Sequence, residues 1–152
     1  MTARIVLLVI LALAFIGIAD SWYLAESAYT GSDLACGIEG LDGCNIVAAS
    51  PYAKPFGVPL GVFGVGFYGL TFGVSLALLF YFDRKLIDAL RVVTGLGASA
   101  SVVFLFIQGV LIGAFCIYCV LSAAISFALF FLAMYFFRDT RPHEPAVVPW
   151  AA

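Results

Sequence analysis

Long apolar runs separated by polar connections dominate the pattern of this chain. Residues 5–23, 58–82, 92–112 and 115–137 are almost entirely apolar. A helix crosses a hydrocarbon layer of about 30 Å with about 20 residues, so each run is long enough to span a membrane. Main-chain polar groups inside a membrane must bond to one another, and helices satisfy them within one segment. The pattern therefore predicts an all-α membrane protein, built as a four-transmembrane-helix bundle.

The connections between the predicted spans differ greatly in length. Only Gly113 and Ala114 separate the third span from the fourth, which predicts a tight antiparallel hairpin. Residues 24–57 instead form a long first loop that contains Cys36 and Cys44. Gln108, inside the third span, is expected to be a hydrogen-bond partner between helices. We expect residues 1–139 to form the membrane domain and residues 140–152, with their prolines, to be a disordered tail.

Basic residues are distributed unevenly between the two ends of the predicted bundle. Such residues concentrate on the cytoplasmic side of membrane proteins. Lys54 lies in the first loop, whereas the other six flank the opposite ends of the spans: Arg4, Arg84, Lys85, Arg91, Arg138 and Arg141. We therefore expect a multi-pass protein of the cell membrane, with cytoplasmic termini and tail. The cysteine-containing loop between helices 1 and 2 is then extracytoplasmic.

Composition agrees with a membrane setting. The chain is 64% hydrophobic and 11% charged, against roughly 45–50% and about 25% in soluble domains. Its net charge of -2 includes no basic field of the kind that attracts nucleic acid. The start of the chain also resembles a signal peptide, but no clear cleavage site follows the apolar run, so we expect a retained anchor.

Four cysteines supply the candidate chemistry, all expected at the extracytoplasmic face. Cys116 and Cys119 form a C-x-x-C motif at the start of the fourth span, and Cys36 and Cys44 form a second pair in the first loop. Thiols three residues apart on a helical turn can close a reversible disulfide, and a helix N-terminus favours the reactive thiolate. Disulfides also persist on this oxidising side of a membrane. The pattern favours two redox-active pairs.

Two other interpretations of the cysteines remain open. They could simply fill apolar space, as cysteine does in protein cores. They could instead bind a metal, although structural four-cysteine zinc sites normally use two closely spaced pairs, and only Cys116 and Cys119 have that spacing. The single histidine, His143, lies in the predicted tail. We therefore expect no metal site.

The order of the motifs resembles the vitamin K epoxide reductase family, including its bacterial and archaeal disulfide-forming members. The resemblance extends from the first span through the fourth. It rests on these segments: Cys36-x₇-Cys44, Ser50, Phe56-Gly57, Phe63-Gly-x-Gly-Phe67-Tyr68 and Cys116-x-x-Cys119. Another four-span oxidase linked to quinones, the DsbB type, carries its C-x-x-C first along the chain, which separates it from this sequence.

This resemblance implies a role for each cysteine. Cys116 and Cys119 would be the active-site pair beside a membrane quinone, such as ubiquinone, menaquinone or a related molecule, with Cys119 reacting with the quinone. Cys36 would exchange with a separate thioredoxin-fold partner of the DsbA type. Cys44 would then pass the electrons to Cys116 through a transient disulfide. Glycines around the loop pair fit a mobile segment: Gly37, Gly40 and Gly43.

The resemblance also implies the surroundings of the quinone and the reaction. We expect four residues near the quinone: Ser50, Tyr52, Phe56 and Cys119. Animal members hold vitamin K with an asparagine and a tyrosine at the positions of Leu60 and Ala123, and neither residue here can make a comparable side-chain hydrogen bond. We therefore expect a thiol:quinone oxidoreductase that forms disulfide bonds, with a reductase of vitamin K or its epoxide as the alternative.

Overall fold

The computed structural model describes residues 3–136, so the predicted tail at residues 140–152 lies outside it. Five α-helices follow one another: α1 (Ala3–Thr30), α2 (Cys44–Ala49), α3 (Leu60–Phe80), α4 (Arg84–Phe106) and α5 (Ile117–Phe136). A π-helical segment, Ile107–Ile112, continues α4. Two short 3-10 turns, Pro51–Ala53 and Pro55–Gly57, connect α2 to α3.

Four of these helices are long and apolar enough to cross a membrane. Their spans are Arg4–Thr30, Leu60–Phe80, Arg84–Ile112 and Ile117–Met134. The loop between the first two spans carries the Cys36–Cys44 pair. The prediction of an all-α membrane protein with four spans and a cysteine-containing first loop is therefore confirmed.

Two helix boundaries differ from the predicted ones by more than a turn. α1 continues to Thr30 instead of ending at residue 23, and the chain turns only at Gly31, whose φ is 69°. α4 begins at Arg84 instead of residue 92, because the Asp83 side chain accepts the Lys85 N–H at 2.9 Å and caps the helix. Both added segments contain charged or polar residues, so an apolar run does not reveal them.

Each long helix packs against two others. α1 and α4 each contact both α3 and α5. The main apolar core lies toward the end of the bundle that is remote from the first loop, with fully buried members from all four long helices: Val6, Leu7, Ile10, Tyr68, Leu78, Ile87, Leu90, Leu129 and Ala133. The described basic residues other than Lys54 lie on the helix ends nearest this core: Arg4, Arg84, Lys85 and Arg91.

α1 and α3 approach closely because α3 presents glycines at their contact. A Cβ atom at Gly61 would lie 2.6 Å from main-chain atoms of Ser21 and Ala25 in α1. A Cβ atom at Gly64 would overlap the Ser21 side chain, whereas one at Gly66 would meet open space. Only some glycines of this helix are therefore required for packing.

The first loop folds back over the end of the bundle that carries the C-x-x-C motif. Asn45 in α2 ties the loop to itself, since its side chain accepts the Leu34 N–H at 2.8 Å and donates to the Leu34 carbonyl at 3.4 Å. α2 also contacts the π-helical segment after α4. Gly40, with φ of 82°, forms the turn between the two arms of the loop. The loop is therefore an ordered cap, residues 31–59.

Candidate active site

The four cysteines meet where the cap contacts the α4–α5 connection. Cys36 and Cys44 form a disulfide with their Cα atoms 6.3 Å apart, while Cys116 and Cys119 are free thiols. Cys44 is 0% exposed and Cys116 1% exposed, and both belong to one apolar cluster with Leu34. Cys36 and Cys119 pack against this cluster and are only partly buried. The fold thus unites two pairs that are far apart in sequence.

A main-chain contact fixes the loop pair next to the C-x-x-C motif. Asp42 and Cys116 form an isolated antiparallel bridge, and the Gly43 N–H donates to the Phe115 carbonyl at 3.0 Å. Residue 43 must be glycine here, because a Cβ atom would lie 2.7 Å from the Ala114 Cβ atom. Since Gly43 directly precedes Cys44, this close approach holds Cys44 near Cys116.

Gln108 holds the α4–α5 connection and is 3% exposed. Its side-chain oxygen accepts the Cys116 N–H at 3.0 Å. Its main-chain oxygen accepts the N–H groups of Gly113 at 2.9 Å and Ala114 at 3.2 Å. Gly113, with φ of 71°, reverses the chain direction. The predicted hydrogen bond between helices is confirmed, and it positions the first cysteine of the motif.

Cys116 lies at the N-terminus of α5, where its carbonyl accepts the Val120 N–H at 3.0 Å. The Cys119 thiol hydrogen-bonds to its sulfur, and the N–H groups of Cys119 and Tyr118 add to this effect. Together these bonds lower the pKa of Cys116 from 9.0 to about 7, although burial opposes the shift. The thiol is therefore partly ionised near neutral pH, as disulfide exchange requires.

Two tyrosines hold the residue that precedes Cys36. Tyr118, between the two cysteines of the C-x-x-C motif, donates its hydroxyl to the Ala35 carbonyl at 2.7 Å. Tyr23 in α1 accepts the Ala35 N–H at 3.1 Å through its own hydroxyl. The two rings are 5.1 Å apart between centroids. One loop residue is thus bonded to both α1 and α5.

A cavity of about 350 Å³ lies beside both cysteine pairs, in the half of the bundle nearer the cap. Cys44, Cys116 and Cys119 all line it. Its wall is mainly apolar and includes aromatic side chains from α3 and α4: Phe63, Phe67 and Phe104. The volume falls in the range of about 300–1,000 Å³ typical of sites for small organic molecules. The cavity therefore gives such a molecule access to the thiols.

The other residues predicted near a quinone differ in their placement. Ser50 and Tyr52 line the cavity, and the Ser50 hydroxyl donates to the Val47 carbonyl at 2.7 Å. Phe56 is not among the lining residues, and its side chain is 98% exposed. Its backbone adopts a left-handed conformation with φ of 56° in the turn before α3. This turn directs the Phe56 side chain away from the cavity, so Phe56 is not part of the cavity wall.

The model of the vitamin K epoxide reductase family matches residues 8–134. This range contains all four cysteines and extends from α1 to α5. The chain belongs to this family. A curated relative, thiol-disulfide oxidoreductase LTO1 of Arabidopsis thaliana, is 42% identical over 132 residues, which cover 82% of this chain. The chain spans about a third of the length of that relative, 34%.

Within this vitamin K epoxide reductase domain, the cavity wall is apolar at two informative positions. Leu60 and Ala123, which stand at the asparagine and tyrosine positions of animal members, both line the cavity. A polar group is present elsewhere in the wall, where the Tyr68 hydroxyl donates to the Ser122 carbonyl at 2.7 Å. Among residues 3–136, no group of three or more His, Cys, Asp or Glu side chains could hold a metal ion.

Sequence reasoning missed the residues that position the cysteines without reacting. Tyr23, Tyr118 and Asn45 all bond to main-chain atoms of the loop before Cys36. The position of Tyr118 between Cys116 and Cys119 could have indicated its role, since a residue between two such cysteines lies close to any segment that contacts them. Tyr23 and Asn45 carry no comparable mark in the sequence.

Proposed function

We propose that this member of the vitamin K epoxide reductase family is a membrane thiol oxidase. It generates disulfides in an exported thioredoxin-fold partner and passes the electrons to a membrane quinone. The supporting observation is that Cys44 and Cys116 are buried in one cluster, whereas Cys36 is partly exposed. A soluble protein can reach the exposed sulfur, and the buried sulfur can then exchange with the C-x-x-C motif.

The transfer proceeds by disulfide exchange. A partner thiolate attacks Cys36 and releases the Cys44 thiolate; the second partner thiolate then closes the partner disulfide and releases Cys36. The Cys44 thiolate attacks Cys116 in the oxidised C-x-x-C motif, and Cys119 leaves as a thiolate. Attack of Cys36 on Cys44 restores the loop disulfide and releases Cys116. Two electrons move from partner to motif; the partner releases two thiol protons, and the two motif thiolates take up two protons to become thiols.

A closed loop disulfide with two free C-x-x-C thiols is the arrangement that the proposed transfer reaches at its end. The loop pair is a disulfide, and both cysteines of the C-x-x-C motif are free thiols. From this state the motif is ready to give up two electrons. The lowered pKa of Cys116 keeps one of its sulfurs partly ionised near neutral pH.

The cavity beside Cys119 fits the ring of a quinone. Its volume of about 350 Å³ and apolar wall suit a flat molecule, and Ser50 and Tyr52 provide hydroxyl groups near the cap. A quinone bound there would accept two electrons and two protons and leave the C-x-x-C motif oxidised. Leu60 and Ala123 carry no side-chain donor at the two positions where animal members hold vitamin K, so donors to a bound quinone would come from Ser50 and Tyr52.

Charge placement supports an extracytoplasmic site and cytoplasmic termini. The described basic residues at the helix ends remote from the cap are Arg4, Arg84, Lys85 and Arg91, and Lys54 lies in the cap itself. Because basic residues concentrate on the cytoplasmic side, the cap faces the outer, oxidising side. The partner is therefore an exported protein.

Quinone reduction by purified protein tests this proposal. Protein in lipid nanodiscs, given a quinone analogue and reduced thioredoxin as the protein reductant, is expected to oxidise the thioredoxin and reduce the quinone. Cys119→Ala is expected to lower quinone reduction to background, because the thiol that completes the motif disulfide is absent. Full turnover in this variant would reject the scheme. Cys36→Ser is expected to block the reaction with thioredoxin.

Titration of free thiols separates redox pairs from the two other interpretations. The protein with Cys116 and Cys119 free is expected to lose both thiols on exposure to quinone and regain them with reductant. Static structural cysteines would keep a constant thiol count. Metal-bound cysteines would become reactive on treatment with a chelator and would transfer no electrons to quinone.

A further inference from the structure

The segment before Cys36, residues 32–35, is attached to the bundle at several points, and Ala35 is the one next to the cysteine. Ala35 donates its N–H to the Tyr23 hydroxyl at 3.1 Å and accepts the Tyr118 hydroxyl at its carbonyl at 2.7 Å. Ala35 is itself exposed, so no burial of its side chain accounts for this attachment. The hydrogen bonds of two tyrosines therefore hold the segment at Ala35.

This attachment matters most once the loop disulfide is open. While the Cys36–Cys44 disulfide is closed, this covalent bond holds the two loop segments together. After the loop disulfide is reduced, the loop next to Cys44 is still held by the hydrogen bond from the Gly43 N–H to the Phe115 carbonyl at 3.0 Å. The segment before Cys36 keeps the hydrogen bonds between Ala35 and the two tyrosines, and those between Leu34 and Asn45.

Two further contacts join this segment to the long helices: the Ser27 hydroxyl of α1 donates to the Ser32 carbonyl, and Leu34 is buried in the cluster against which Tyr23 and Tyr118 pack. The tyrosine bonds act at Ala35, the residue directly before Cys36.

We propose that Tyr23 and Tyr118 are positioning residues that hold the segment before Cys36, residues 32–35, on the bundle while the loop disulfide is open. Docking keeps the cap closed over Cys116, which is 1% exposed. It also keeps Cys36 close enough to attack Cys44 and restore the loop disulfide. The docking itself does not depend on the electron acceptor, whereas its effect on turnover rests on the proposed function.

Labelling of Cys116 tests the docking directly. The parent protein carries Cys36→Ser, Cys44→Ser and Cys119→Ser, sits in lipid nanodiscs and reacts with a membrane-impermeant maleimide. Tyr118→Phe and Tyr23→Phe each remove one hydroxyl and keep the ring. Each is expected to raise the labelling rate of Cys116 by about two- to tenfold, the range set by the loss of one hydrogen bond. Rates within error of the parent in both variants would overturn the proposal.

Two control variants separate undocking from general loosening. Tyr29→Phe changes a tyrosine that is 70% exposed near the end of α1, and its labelling rate is expected to equal that of the parent. Ser75→Cys, in a protein without the native cysteines, reports on a position that is 0% exposed in the bundle. If Tyr118→Phe raised labelling at residue 75 as much as at Cys116, the bundle itself would be loosened and the docking role would be rejected.

Turnover gives a second readout with opposite signs. With all four cysteines present, Tyr118→Phe is expected to slow quinone reduction driven by reduced thioredoxin. In the Cys36→Ser background, Tyr118→Phe is expected to speed the reduction of quinone by dithiothreitol. A small dithiol reaches Cys116 more easily when the cap is no longer held closed. Equal losses with both reductants would contradict the positioning role. If the protein with all four cysteines and an unchanged Tyr118 reduced no quinone with either reductant, the proposed function would be rejected and the labelling result would be unaffected.

Discussion

At the scale of single residues, the two thiols of one motif have different surroundings. Cys116 precedes the first turn of α5 and receives hydrogen bonds from the Cys119 thiol and from two main-chain N–H groups. These bonds stabilise its thiolate. Cys119, one turn further along the helix, lines the cavity. Both cysteines of the motif therefore line the cavity, and the one beside the cap has the stabilised thiolate.

The thiolate of Cys116 is expected to form around pH 7 in the reduced protein. Its pKa is lowered from 9.0 to about 7, so ultraviolet thiolate absorbance should rise through that pH. Because the folded-state value is the lower one, this ionisation stabilises the reduced fold fully above pH 9, and the contribution is lost as the pH falls through about 7.

Two substitutions at Cys119 test the cause of this shift. Cys119→Ala removes the donor that contributes most, so the pKa of Cys116 is expected to rise. Cys119→Ser retains a hydrogen-bond donor at the same position and is expected to keep the titration closer to pH 7. An unchanged titration in the alanine variant would show that the thiol hydrogen bond is not the cause.

Sequence could identify the candidate reacting sulfurs but not most of the residues that lie around them. The two cysteine pairs are visible from type and spacing, and Gln108 is visible as a polar residue in an apolar span. Tyr118 bonds to a main-chain atom 83 residues away, and its role exists only after the cap has folded onto α5. Phe56 lies outside the cavity wall, and the motif around it does not reveal the left-handed turn that points its side chain outward.

At the scale of helices, the contact between α1 and α3 depends on individual glycines. Gly61 lies against the α1 main chain, which cannot move aside as a flexible side chain can. Gly66, one and a half turns further along α3, is exposed and faces open space. These two glycines are therefore expected to respond differently to the same substitution.

Gly61→Ala is expected to reduce stability, whereas Gly66→Ala is not. The added methyl group at residue 61 must push α1 and α3 apart, and such overpacking costs about 1–3 kcal/mol. At residue 66 the same methyl group meets no neighbour, so stability should stay equal or rise slightly with helix propensity. Denaturant unfolding in detergent micelles measures both. Equal effects of the two changes would contradict the close contact at Gly61.

Helix boundaries were less predictable than the number of helices, because hydropathy does not detect the polar turns at helix ends. Hydropathy detects the part of a helix that crosses apolar surroundings, and it identified all four spans. The polar turns at the end of α1 and the start of α4 are set by Gly31 and by the Asp83 cap. These local signals mark where a helix stops or begins, and an apolar run ends before them.

At the scale of the whole molecule, the bundle is tightly packed at one end and open at the other. Fully buried residues from four helices fill the end remote from the cap. The cavity of about 350 Å³ occupies the other half, beneath the cap. The packed end can hold the helices together while the open end accommodates a small molecule.

Two alanines of α5 test this division of the bundle. Ala123 lines the cavity and Ala133 is 0% exposed in the packed core. Ala133→Phe is expected to destabilise the fold by about 1–3 kcal/mol through overpacking. Ala123→Phe is expected to change stability little and to raise the KM for quinone, because the ring occupies part of the cavity. Thermal unfolding and quinone kinetics measure the two effects, and a reversed pattern would refute the division.

The unequal exposure of the two loop sulfurs sets the regiochemistry of the proposed reaction. Cys44 is 0% exposed, whereas Cys36 is partly exposed. A water-soluble thiol can therefore cut the loop disulfide only by bonding to Cys36, which always frees the inner sulfur. Electrons that enter through the loop disulfide therefore pass first through Cys36, whichever soluble thiol supplies them.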